Sequence, residues 1–160
     1  MGTISNARAI FGLVATGTPT KTLVSGAATI GQTQSQIQIP ADVAYAFTVE
    51  NLAANAVVEL TFSTCEAVVS SGSALILDGD GNDFEGLEIP TVNTTYVVLV
   101  ESDPENIGEV LIKQAAAAPN SGFRSVPPLP FMSNVDSPTL ALSGTDAADK
   151  YIVTVIASTT

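Results

Sequence analysis

The feature that most limits what this chain can fold into is a pair of β-rich runs flanking one polar turn, residues 94–114, TTYVVLVESDPENIGEVLIKQ. Residues 94–101 are dense in β-branched and aromatic side chains, which fit a pleated surface. Eight residues at about 3.3 Å each span roughly 26 Å, enough to cross a small domain. Ser102, Asp103, Pro104, Glu105 and Asn106 supply turn chemistry: proline presets φ, and Asp and Asn side chains bond the nearby backbone. Residues 107–114 then return. Pairing Glu101 with Ile107 predicts a hairpin with Val98 opposite Val110 and Tyr96 opposite Ile112. One face then carries Tyr96, Val98, Val100, Val110 and Ile112 and reads as core. The other carries Val97, Leu99 and Leu111 beside Glu101, Glu109 and Lys113. That mixed face calls for a cover, either residues 119–138 or a neighbouring subunit.

The rest of the chain repeats the two-residue period. Residues 32–39 alternate strictly, with Gln32, Gln34, Gln36 and Gln38 on one side, a strand signal. Residues 43–50 and 57–63 form a second expected hairpin. Pairing Glu50 with Val57 gathers Tyr45, Phe47, Val49, Val58, Leu60 and Phe62 on one apolar face, with a polar face outward. Residues 22–30 are a strand candidate with Gly26 as a bulge. Short apolar runs at 66–69, 74–77 and 139–142, and a strong run at 150–157, complete the set. No segment has an apolar stripe at 3.6-residue spacing. The expected class is all-β, an antiparallel β-sandwich or jelly-roll-like fold of about eight to ten strands. Residues 1–21 form a separate N-terminal segment, a first strand or an arm, and 22–160 form the single sandwich domain. Within it, residues 119–138 (PNSGFRSVPPLPFMSNVDSP) are irregular and proline-rich, yet too apolar for a disordered linker. They read as an ordered crossover pinned on the core, with a contact arm as the sharper alternative.

Charge and cysteine content remove whole classes of function. Thirteen of the sixteen acidic residues lie within 42–109, a span without Lys or Arg, and the net charge is −11. Nucleic acid binding needs clustered cations to neutralise phosphates, so no nucleic acid partner is expected. An anionic membrane surface is disfavoured on the same grounds, and no run reaches the roughly 18–20 apolar residues of a membrane helix. Residues 9–15, after Arg8, look superficially like a signal-peptide core, but the run is short and lacks a convincing cleavage site. A chain of this length buries about 70% of its surface on folding and needs no disulfide. Cys65 is the only cysteine and reads as a small buried residue beside Phe62 and Val68.

Catalysis is not expected. The chain has no histidine, which removes the commonest general base and metal ligand and any Ser–His–Asp or Cys–His unit. No zinc-type cysteine set or phosphate loop is present. Catalytic, cofactor and metal residues are therefore assigned as none. Asp78, Asp80, Asn82 and Asp83 place oxygen ligands as at the start of an EF-hand loop, but Asp83 stands where that loop needs Gly and Ile89 where it needs Glu. A solvated hairpin turn is the expectation there, with a different calcium loop as the alternative.

Stretches such as SGAATIGQTQSQIQIP and SPTLALSGTDAADKYIVTVIAST, in a Ser/Thr/Ala-rich, acidic, histidine-free β-chain, give it the style of small β-structured virion proteins of tailed bacteriophages. It resembles the capsid decoration, or cement, type. The resemblance covers most of the chain and rests on no diagnostic motif. It implies a structural protein that reinforces a phage head as a homo-oligomer, bound to the major capsid protein or another virion protein, and located in the virion after assembly in the host cytoplasm. No active-site residues carry over. The apolar residues outside clear strands, Ile10, Phe11, Leu13, Phe123, Leu129, Phe131 and Met132, are then the expected contact residues. The competing expectation is a β-sandwich binding module for carbohydrate or a receptor, calcium-dependent in one version, or a tail or fibre component. The chain lacks tryptophan, and its three tyrosines, Tyr45, Tyr96 and Tyr151, lie within strands, which leaves little for sugar stacking.

Overall fold

The computed structural model describes residues 7–14, 32–39, 41–114, 124–125, 131–133 and 139–160, with side chains described for 41–113 and 139–160. The strands in chain order are β1 (Ala7–Val14), β2 (Gln32–Ile39), β3 (Val43–Asn51), β4 (Ala56–Thr61), β5 (Glu66–Ser71), β6 (Ala74–Leu77), β7 (Thr94–Ser102), β8 (Val110–Gln114), β9 (Arg124–Ser125), β10 (Phe131–Ser133), β11 (Thr139–Gly144) and β12 (Lys150–Ser158). One 3-10 turn lies at Gly86–Glu88. Chain contacts group Asn6–Pro40 into one unit and Ala41–Thr160 into another.

In the first unit β1 and β2 form an antiparallel pair from Ala7↔Ile39 to Val14↔Gln32. The strand expected from the glutamine alternation therefore has the bounds read from it. The strand expected over 22–30 lies outside the described residues.

The second unit is a two-layer sandwich. One sheet has the order β10-β7-β12-β3-β6 and the other β5-β4-β11-β8-β9, and every pairing is antiparallel. The inner faces meet in one apolar core. Phe47, Val49, Val98, Val100, Tyr151, Val153 and Val155 come from the first sheet, and Val58, Leu60, Val110, Leu140 and Leu142 from the second. Each fully buried Val or Leu contributes about 1.5–3 kcal/mol relative to exposure. The sandwich expectation holds; the jelly-roll form of it is not confirmed by this strand order.

Both expected hairpins are instead arches. β7 lies between β10 and β12 in the first sheet, while β8 lies between β11 and β9 in the second. β3 and β4 are likewise in opposite sheets, and neither consecutive pair shares a ladder. The reason is geometric. Alternation sets which side chains point inward, and inward-pointing strands can sit side by side or face each other about 10 Å apart. Residues 52–55 can span that gap, since an extended residue covers about 3.3 Å. Asn55 takes a left-handed φ of 59° within this arch, a conformation that Asn tolerates better than most residues.

The inward set survives the changed pairing with one substitution. Val98, Val100 and Val110 are buried and Ile112 packs against the core, but Tyr96 is only half-buried and Thr95 is buried instead. Opposite them the register slips, so that Ile156 pairs with Val97 and Ala157 with Thr95. Tyr96 is the extra residue of this bulge, and a one-residue slip exchanges faces. Cys65 is buried beside Phe62, its thiol 3.6 Å from the Phe62 carbonyl oxygen. Val68, expected beside it, is exposed. Among the described residues of the proline-rich stretch, Phe131–Ser133 pairs along β7 and Arg124–Ser125 along β8, one in each sheet.

Candidate functional site

The side of β3 away from β12 is occupied unevenly. β6 pairs with Thr48–Asn51 only. Among the described residues, no strand pairs with that side of β3 at Val43–Phe47. The direction of the backbone groups follows from two hydrogen bonds. Asn51 N donates to Asp149 O at 2.9 Å on the β12 side, and Leu52 N donates to Ser73 O at 2.9 Å on the β6 side. Groups alternate along a strand, so the N–H and C=O of Ala44 and Ala46 point to the open side. Both side chains there are small, and Ala46 is exposed.

Beyond β6 the chain folds into an acidic loop that walls this edge. Asp78 Oδ1 accepts from Asp80 N and Asn82 N, each at 2.9 Å, an Asx turn of the kind Asp favours. Asp78 N donates to Asn82 O at 2.8 Å, and Phe84 N donates to Ile76 O at 2.9 Å. The Phe84 ring then packs on Phe47 and Tyr45, with centroids 5.0 and 6.2 Å away. Downstream, Gly86 lies so close to the Cys65 carbonyl that a Cβ there would collide with it. Phe84 and Gly86 therefore pin the loop to the sandwich, with Glu85 between them and Asp83 and Glu88 within two residues of these anchors.

The result is an open cleft of about 810 Å³ lined by Ala44, Ala46, Asp78, Asp83, Glu85 and Glu88, among others, with no Lys or Arg among the described residues of the lining. Tyr45 also lines it and is 8% exposed. Burial pushes the Tyr45 hydroxyl well above the usual tyrosine range. That hydroxyl lies beside the Cys65 thiol and has no stronger hydrogen-bond partner. The thiol is itself raised by burial. Among the described residues, no group of three or more acids, Cys or His is placed to hold a metal ion. The Asp78 carboxylate caps its own turn.

A second polar cluster closes the other end of β3, and its bonds are structural. Asn51 Nδ2 donates to Gly144 O at 2.9 Å and Asp146 O at 3.1 Å. Asp149 accepts from Gly108 N at 3.0 Å and Asp146 N at 2.8 Å. Asn106 Oδ1 accepts from Lys150 N at 2.8 Å, and its Nδ2 donates to Lys150 O at 2.7 Å. Asn51 and Asp149 are each 1% exposed. The cluster ties the β3–β4, β7–β8 and β11–β12 connections together and leaves no space for a ligand: a Cβ on Gly108 would strike Asp149.

A third surface is apolar. β5 and β6 are the outermost strands on one side of the two sheets. Val68 is 53% exposed, and Val69, Leu75 and Leu52 are exposed nearby in sequence or pairing.

Of the expected contact residues, Ile10, Phe11 and Leu13 lie in β1, opposite Gln36, Ser35 and Thr33. Phe131 and Met132 lie in β10, opposite Leu99 and Val98. Their side chains, and Phe123 and Leu129 altogether, lie outside the described residues. The cleft at Ala44–Ala46 was missed because it depends on β6 covering only Thr48–Asn51 of β3. The signal for that was the dense turn chemistry beginning at Asp78.

Compared with protein families, curated proteins and solved structures, the chain matches none of them.

Proposed function

We propose that this chain is a non-catalytic structural virion protein of the capsid decoration type, reinforcing a phage head through contacts among its own copies and with the capsid lattice. The observation that carries the reading is the composition of one sandwich side. Residues 67–77, which supply most of β5 and all of β6, contain no charged residue and no proline. Soluble proteins usually guard edge strands with such residues. Here Glu66 at the start of β5 is the one charged residue on the two strands, and apolar side chains are exposed, in a chain whose net charge of −11 would otherwise keep copies apart. An edge this poor in charge is where identical acidic subunits can meet.

The β1–β2 pair fits the same reading. Two strands alone are marginally stable in water, and β1 and β2 form a two-stranded sheet of their own, which would gain from docking on an assembled surface. Sedimentation velocity tests the proposal. The full chain should sediment as an oligomer, and Val68→Lys should shift it to the monomer without changing its circular dichroism. A wild-type chain that stays monomeric at high concentration and fails to bind purified phage heads would sink it.

A further inference from the structure

We infer that the edge of β3 at Ala44–Ala46 is a docking site for an extended, cationic segment of a partner protein, added as a further strand. The inference concerns the chemistry of the partner and does not depend on that partner being a virion protein.

Three independent observations meet at this place. The first is backbone supply. Ala44 and Ala46 each direct one N–H and one C=O to the side of β3 that no described strand occupies. An incoming strand would lie about 4.8 Å away and receive its main-chain bonds from these groups, as in strand addition to a sheet edge. The second is space. The cleft of about 810 Å³ opens directly on this edge, and the two alanines keep it unobstructed. The third is charge. Asp78, Asp83, Glu85 and Glu88 line the cleft, with no cation among the described lining residues, so Lys or Arg side chains on the added strand would find carboxylates, whereas an acidic segment would be repelled. The anchoring of the loop by Phe84 and Gly86 keeps those carboxylates beside the edge before any partner arrives, which lowers the ordering cost of binding.

The experiment uses the full chain and a fluorescent peptide of alternating Lys and Val. Saturable binding at low salt is expected, with protection of the Ala44 and Ala46 amides from hydrogen exchange in the complex. A peptide N-methylated at alternate residues, unable to donate to the edge, should bind at least about tenfold more weakly. The variant Asp83→Asn/Glu85→Gln/Glu88→Gln should also lose about tenfold or more. The equal-charge control Glu101→Gln/Glu105→Gln/Glu109→Gln should lose much less. No saturable binding, equal binding of the N-methylated peptide, or equal losses in the two charge variants would each overturn the inference. Competition by millimolar calcium at the same site, without amide protection, would assign the cleft to a cation instead and overturn it as well.

Discussion

At Glu50, β3 has a strand on each side, and the side-chain amide of the next residue, Asn51, donates to two carbonyls. At Ala44 and Ala46 the same strand has β12 on one side and an acid-lined cleft on the other. One strand thus presents two kinds of end. Where three inter-sheet connections converge, the backbone turns sharply inside the protein and every buried donor must be answered; buried Asn and Asp do this. Where β6 stops, backbone groups face outward and the surface can be spent on a partner. The contrast teaches that polar residues at the two ends do different work. Asn51 and Asp149 satisfy their own chain, while Asp83, Glu85 and Glu88 are held by it and left exposed.

The largest expected effect falls at the closed end. Asp149→Ala leaves the Gly108 and Asp146 amides without their acceptor and should cost about 3 kcal/mol, read by urea unfolding. A loss within about 0.5 kcal/mol would erase the difference between the ends. Phe84→Ala comes next, at about 2 kcal/mol, since a half-buried ring against Phe47 and Tyr45 is removed. It should also speed hydrogen exchange at the Phe84 amide, marking the acidic loop as locally released. At the open end Ala46→Thr should change stability by no more than about 0.5 kcal/mol, because the side chain there is exposed. The smallest effect is a pH dependence at Asp42. The Thr159 hydroxyl, 2.6 Å from Oδ2, and the Thr159 amide, 2.9 Å from Oδ1, hold its carboxyl below the ordinary value of 3.8. A lowered value means the bonds stabilise the fold above the unfolded-state value and are lost as pH falls through the lower folded value. Wild type and Asp42→Asn should therefore differ slightly in melting temperature at pH 5 and converge as the pH drops below that range.

The sequence carries direction, and neighbourhood comes only with the fold. Tyr45, Phe47, Val49, Val58, Leu60 and Phe62 were all assigned inward and all are buried, because a period of two is local. The partner of each strand is not local. β3 and β12 pair Glu50 with Lys150 and Val43 with Ala157, contacts that no turn motif announces. Tyr96 escaped for a related reason: its position depends on a bulge set by the register against Ile156 and Ala157. The cleft escaped because its existence rests on a length difference between two strands. Its carboxylates were visible as a charge run, and only the fold puts them beside an unoccupied backbone edge.

The central positions of β11 and β12 bear on how this molecule comes into being. β12 separates β7 from β3, and β11 separates β8 from β4. Neither sheet can close until residues 139–158 have been synthesised and threaded between strands made much earlier. Until then the earlier strands carry apolar faces without neighbours, and the loops to be closed are long, a topology that folds in milliseconds to seconds. During that interval the acidic stretch at 42–109 keeps growing chains apart, so the same charge that surrounds the cleft in the finished protein guards the unfinished one against aggregation.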